Sequence, residues 1–170
     1  MSVIEQFRVF DWLKTYFPYD SIGEEDMAGV LHFCLMWNLF ESKICERHAS
    51  IGKIKNFTKS LRKVGSLKNE DFSSYLLYFQ ERYLCNGKTN DKFARLRIGG
   101  SDREQVESVL KEEEAEHSSV VLALLIIVYR LRNTLFHGEK PIITLHNQNI
   151  NFNVANSLLA KTLDLHKDNR

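Results

Sequence analysis

The stretch from Ser118 to Phe136 reads SSVVLALLIIVYRLRNTLF and is the most apolar helical segment of the chain. Its apolar positions surround the helix axis, which is typical of a helix buried at the centre of a protein. Gly138 and Pro141 follow it and predict where it ends. A second segment, Met27 to Ile44, is apolar on nearly every side. We expect these two helices to lie antiparallel at the centre of the fold.

Helical spacing also dominates the rest of the chain, with further helices predicted at residues 2–17, 51–64, 71–85, 101–116 and 151–166. Residues 88–100 interrupt the pattern, and residues 142–145 predict a brief extended or irregular piece. Only eight glycines and two prolines argue against a loop-rich β-sandwich. We therefore predict an all-α fold: one domain over residues 1–170, built as a bundle of six or seven helices.

Composition indicates an ordinary soluble protein, since 44% of the 170 residues are hydrophobic and 26% are charged. The net charge of +1 indicates no partner by itself. Three cysteines (Cys34, Cys45 and Cys85) show no metal-ligand spacing, and their odd number favours reduced thiols in the cytosol. The N-terminus lacks a signal-peptide pattern, and the longest apolar run is half a membrane span. We expect a cytoplasmic protein with no membrane contact.

Two side chains at the end of the apolar segment suggest phosphate chemistry. Arg132 offers a two-pronged permanent charge that suits phosphate, and His137 can transfer protons near neutral pH. Positions five apart lie about 140° apart around a straight helix. The pair can therefore meet only if the helix ends or kinks between them, or if two copies of the chain meet across a two-fold axis. Alternatively, the arginine stabilises the helix dipole and His137-Gly138 simply stops the helix.

The run from Tyr129 to Lys140, YRLRNTLFHGEK, resembles the signature of the HEPN superfamily. In that signature an arginine is followed by a polar residue and, after four to six residues, by a histidine, at the end of a long helix in a small bundle. The segment Met36–Glu41, MWNLFE, is similar to the family's early helix, whose acidic residue points towards the Arg–His pair. The motif spans about a dozen residues, and the helical pattern extends the resemblance to most of the chain.

The resemblance implies a metal-independent endoribonuclease, commonly a homodimer whose cleft brings two motifs together, with no cofactor. His137 would act as general base on the ribose 2′-hydroxyl or assist the leaving group, and Arg132 would hold the scissile phosphate. Asn133 would orient these groups, and Glu41 would fix the arginine or histidine. Attack by a 2′-hydroxyl needs only proton transfer and charge stabilisation, and it makes the reaction specific for RNA.

Relatives of this kind act as toxins or as antiviral-defence effectors, which can have an antitoxin or another defence-system protein as partner. Some HEPN toxins carry a tyrosine two residues after the histidine that a partner enzyme modifies, whereas this chain has Glu139. Control by modification at that site is therefore not expected. Two alternatives remain open: a catalytically inactive HEPN-like module that binds RNA, nucleotide or a partner protein, and a helical protein in which the motif is coincidental.

Charge is concentrated in two segments. Residues 43–68 hold eight lysines and arginines against one acid, which suits an RNA backbone, although a solvated helix surface would look the same. The RNA-binding candidates are Lys53, Lys55, Lys59, Arg62 and Lys63. Residues 102–116 hold seven acids against two basic residues, which predicts a solvated face, or else a docking site for a basic partner or for the basic segment of a second copy. No histidine spacing suits zinc, so no metal is assigned.

Overall fold

The computed structural model describes residues 7–17, 23–67, 70–112, 115–137 and 142–168. In these ranges the chain is almost entirely helical, and the predicted all-α bundle is confirmed. The elements are α1 (Val9–Tyr16), α2 (Glu24–Lys43), α3 (Ile51–Lys63), α4 (Ser73–Tyr83), β1 (Leu84–Cys85), β2 (Lys88–Thr89), α5 (Asp91–Ala94), α6 (Gly100–Lys111), α7 (His117–Phe136), a 3-10 helix (Ile142–Gln148) and α8 (Asn149–Asp168).

Between residues 84 and 94 the structure contains a short pair of strands, which the prediction of an all-α fold did not include. Strands β1 and β2 form a two-residue antiparallel hairpin in which Leu84 lies opposite Thr89. Both turn residues have positive φ, 51° at Asn86 and 72° at Gly87, which is the geometry of the tight turn that Asn-Gly favours. The hairpin reverses the chain after α4 and leads directly into the short helix α5. The piece after α7 is a 3-10 helix rather than an extended segment.

Helix α7 lies at the centre of the bundle, because ten of its twenty residues are buried. Helices α3 and α6 pack against it. Of the described helices, α7 is the one long and apolar enough to cross a membrane by length and composition. Within the most apolar 18 residues of α7, 56% are buried inside the fold, as in the core helix of a soluble protein.

Helix α2 has its most extensive packing with α8, not with α7. Phe33 in the first half of α2 stacks near Phe152 at the start of α8, with ring centroids 5.0 Å apart. Lys43 at the end of α2 shares a groove with Lys167 at the end of α8, so the two helices run parallel. Contact between α2 and α7 is less extensive. Helix α7 is thus central, whereas α2 packs one side against α8 and leaves Leu31, Leu35 and Leu39 exposed.

Candidate functional site

Helix α7 continues without a break through the Arg–His segment. His137 caps it, and its backbone N–H donates to the carbonyl oxygen of Asn133 at 3.0 Å, the hydrogen bond of a regular helix. The backbone of Arg132 and that of His137 therefore point about 140° apart around the axis. His137 is exposed. The helical hydrogen bonds continue to His137, so no kink between the two residues turns their side chains towards each other.

The guanidinium of Arg132 lies against its own helix. Its Nη1 donates to Asn133 Oδ1 at 3.3 Å, and its central carbon lies 5.1 Å from the ring centroid of Phe136. Its Nε is buried and has no hydrogen-bond acceptor among the described residues. Partly buried cations in proteins normally have an anionic partner. Among the described residues the guanidinium of Arg132 contacts an aromatic ring and a neutral amide, so its charge is available to bind an anion.

The carboxylate of Glu41 has a different partner from the one expected. Its Oε1 accepts a hydrogen bond from the backbone N–H of Ala49 at 2.8 Å, across the loop that joins α2 to α3. Within the described ranges no ion pair joins Glu41 to Arg132, whose recorded side-chain partners are Asn133 and Phe136. The structure therefore assigns Glu41 to holding this loop, and the expected contact with the motif arginine is not formed in the single chain.

Three of the five basic RNA-binding candidates on α3 already have acidic partners within the chain. Lys53 pairs with Glu46, Lys55 with Asp102, and Arg62 with Glu116. Lys53 also donates to the carbonyl oxygen of Cys45 at 2.8 Å. Lys59 and Lys63 are exposed, and the structure places no acidic partner beside either among the described residues.

The acidic segment accounts for two of these partners, because Asp102 and Glu116 neutralise α3. Its Glu107 is engaged within α6 by Arg103 and Lys111, and these hydrogen bonds lower the pKa of the Glu107 carboxyl. Glu104 and Glu112 are exposed, as expected of a solvated face. Docking to a partner or to a second copy stays a prediction, since the basic residues paired here belong to the same chain.

The basic face of α3 and the Arg–His motif lie towards opposite ends of α7. Arg62 contacts Glu116 at the start of α7, and Lys55, Arg62 and Ser118 line an open groove of about 240 Å³. From Ser118 to Arg132 the helix rises about 20 Å. An RNA chain could extend over both, but they do not form one pocket.

The sequence reading missed a second basic cluster, close to the motif. Arg82 at the end of α4, with Lys92 and Arg95 in and after α5, lines a pocket against Thr134 of α7. The hairpin brings these cations together, so the only sequence signal was the Asn86-Gly87 turn between them. Among the described residues no group of three His, Cys, Asp or Glu side chains could hold a metal ion.

No family model, curated protein or solved structure matches this chain. We therefore infer a function from the residues of α7 and their surroundings. Gly138, Glu139 and Pro141, which entered the sequence analysis, lie outside the described residues.

Proposed function

We propose that this protein is a metal-independent endoribonuclease of the HEPN type, which cuts RNA with Arg132 and His137. The observation that carries the proposal is the guanidinium of Arg132, near the end of the buried helix α7, which has no carboxylate partner among the described residues. An exposed histidine caps the same helix. A guanidinium and an imidazole at the same helix end are the groups that stabilise charge on a phosphodiester and transfer its protons.

In the proposed reaction the ribose 2′-oxygen attacks the adjacent phosphorus while the bond to the 5′-oxygen of the next nucleotide breaks. The products are a 2′,3′-cyclic phosphate and a free 5′-hydroxyl. His137 takes the proton of the 2′-hydroxyl or supplies the proton that the leaving oxygen needs. Arg132 stabilises the charge that develops on the phosphate oxygens, and Asn133 holds the guanidinium in place through its Oδ1.

The unbroken helix favours a site shared by two copies of the chain. Because Arg132 and His137 leave α7 about 140° apart, one chain presents them to different sides of the helix. A two-fold axis beside the ends of two α7 helices would bring the arginine of one copy towards the histidine of the other. We therefore propose a homodimer in which each cutting site takes one residue from each chain.

The first test is cleavage of total RNA by the purified protein in excess chelator, beside Arg132→Ala and His137→Ala. Cleavage by the wild type that leaves cyclic phosphate ends, with a loss of 100-fold or more in each variant, is expected for a positioned proton-transfer or charge-stabilising group (about 10²-fold or more). No cleavage by the wild type, or equal cleavage by all three proteins, would reject the enzyme.

Mixing the two inactive variants tests the shared site. After random exchange of subunits half of the dimers are mixed, and each mixed dimer has one complete site of two, so about a quarter of the wild-type activity should return. Two Arg132→Ala chains, or two His137→Ala chains, should recover nothing. If the mixture stays inactive although exchange is shown by differently tagged subunits, both residues act within one chain.

A catalytically inactive module that binds RNA, nucleotide or a partner protein is the second candidate. The observation that favours it is the basic pocket around Arg82, whose cations can hold an anion without any cleavage. Under either proposal we expect a cytoplasmic protein. For the enzyme we propose a role as toxin or antiviral-defence effector, restrained by an antitoxin or another defence-system protein.

A further inference from the structure

A small open pocket of about 120 Å³ lies between the end of α4, the helix α5, the last turns of α7 and the 3-10 helix. Three cations line it: Arg82, Lys92 and Arg95. Thr134 of α7 also lines it. Pockets that hold whole small ligands span roughly 300–1,000 Å³, so this one has room for a single charged group rather than for an entire small molecule.

No described residue that lines the pocket balances its positive charge. The described lining contains three cations and no carboxylate. Arg82 is half-buried, and its Nη2 donates to the neutral amide oxygen of Gln148 at 2.6 Å. The Nε of Arg82 is buried and lacks a hydrogen-bond acceptor in the described part of the chain. A partly buried cation normally has an anionic partner, so Arg82, with the exposed Lys92 and Arg95 beside it, suits an anion.

The neighbouring tyrosine does not supply the missing charge. Tyr83 also lines the pocket, and its ring lies 5.8 Å from the guanidinium carbon of Arg82. Burial raises the pKa of its phenol to about 12, although Arg82 opposes that shift. The phenol is therefore neutral near pH 7, and the anion that the pocket lacks must come from outside it.

The position of the pocket relates it to the motif histidine. Thr134 and His137 are three residues apart, so they leave α7 only about 60° apart, whereas Arg132 and His137 are about 140° apart. Arg130 on the same side donates from Nε to the carbonyl oxygen of Leu96 at 2.6 Å, which ties this face of α7 to the residues after α5. The pocket thus lies on the histidine side of the helix.

We propose that this pocket binds a phosphate group, with Arg82, Lys92 and Arg95 as its ligands. This inference rests on the proposed function for its substrate: the phosphate is that of a nucleotide next to the one being cut, held on the side of α7 that presents His137. The guanidinium groups supply forked N–H donors, which fit phosphate oxygens. A free nucleotide carries the same group, so the experiment separates the two sources.

The test measures binding in a protein that cannot cut, His137→Ala. Its affinity for a ten-nucleotide single-stranded RNA is measured by fluorescence anisotropy, and its affinity for AMP and inorganic phosphate by calorimetry. The pocket variant adds Lys92→Gln and Arg95→Gln, two exposed positions whose change should leave the fold intact. The matched control adds Lys14→Gln and Lys167→Gln, which remove the same charge from exposed positions in α1 and at the end of α8.

The pocket variant is expected to bind the RNA at least about tenfold more weakly than the control, since two charge-assisted contacts are lost. A parallel loss for AMP and phosphate indicates that free nucleotides also bind, and a loss for RNA alone indicates the backbone of a chain. Equal affinities in the pocket variant and the control would overturn the proposal.

Cleavage is followed separately with His137 restored, so the two proposals can fail independently. Wild-type cleavage together with RNA binding that the pocket variant leaves unchanged rejects the pocket and keeps the ribonuclease. Weaker binding by the pocket variant, in a protein that never cuts RNA, keeps the phosphate site and rejects the ribonuclease.

Discussion

Replacing Gly29 by alanine should destabilise the fold, although alanine is the better helix former. Gly29 lies in α2 where α8 approaches most closely. Its N–H donates to Asn149 Oδ1 at 2.8 Å, and its carbonyl oxygen accepts from Asn156 Nδ2 at 3.2 Å. A Cβ at this position would overlap Asn149 Oδ1 and lie 2.9 Å from the backbone oxygen of Asn149 and 3.0 Å from Asn153 Oδ1.

The magnitude follows from three opposing terms. The side chain of Asn149 can rotate away, which gives up its hydrogen bond to Gly29 at a loss of about 0.5–1.5 kcal/mol. Its backbone oxygen cannot rotate, so α8 must shift, and overpacking of this kind destabilises by about 1–3 kcal/mol. Alanine returns about 1 kcal/mol through helix propensity. The net loss is about 0.5–3.5 kcal/mol, which lowers the Tm by roughly 1–14 °C in a protein of this size.

Gly52→Ala is the matched control. Gly52 lies in the first turn of α3, and a Cβ there would have one neighbour, Ser50 Oγ at an ordinary 3.8 Å. Because the same propensity gain meets no clash, its Tm should stay level or rise. Thermal unfolding followed by circular dichroism compares the two variants with the wild type. A Gly29→Ala protein as stable as Gly52→Ala would refute the close packing of α2 on α8.

Three further predictions concern polar side chains. Glu41→Gln should keep both stability and RNA cleavage, because the amide oxygen of glutamine still accepts the hydrogen bond from Ala49, whereas Glu41→Ala should lose about 1–3 kcal/mol of unfolding free energy in urea. Loss of cleavage in the glutamine variant at unchanged stability would show that the charge is needed. Burial, with Glu41 nearby, raises the pKa of the Cys45 thiol from 9.0 to about 11, so its contribution to stability is complete below pH 9 and is lost as the pH rises towards 11. Between about pH 8.5 and about pH 10.5 the free energy of unfolding in urea should therefore fall more for the wild type than for Cys45→Ala. Equal decreases in the two proteins would contradict the buried thiol. Neutralising Lys59 and Lys63 together should weaken RNA binding and reduce its salt dependence by up to about two released counterions, with the Tm unchanged; an unaltered salt slope would remove α3 from the RNA path.

Individual helices were predictable because their apolar spacing is strong, and α7 is the clearest case. The expected helix from Ser118 to Phe136 differs from the observed one by a single residue at its start. The four-residue helix α5 could not be predicted, since one turn is too short for a periodic pattern. The packing of α2 on α8 was also out of reach, because it depends on asparagines more than a hundred residues away from Gly29.

The motif itself was readable from the sequence, but the surroundings of its residues were not. Arg132 and His137 stand out through residue type and their place at the end of an apolar helix. The partner of Glu41 did not, because it is the backbone N–H of Ala49, and a backbone group in a loop leaves no signal in the residue types. An acidic residue in an apolar helix indicates that a partner exists but not which one.

The pairing of the two charged segments changes where RNA would be expected to bind. Read separately, the basic residues around α3 form the strongest positive segment of the chain, and the net charge of +1 conceals it. In the fold, the acids Asp102 and Glu116 lie against Lys55 and Arg62, so part of that field is cancelled within the molecule. Among the described residues, the pocket around Arg82 has fewer cations but no carboxylate in its lining. Because an anion responds to the charge that remains after pairing, we expect a phosphate to bind more strongly at this pocket than along α3.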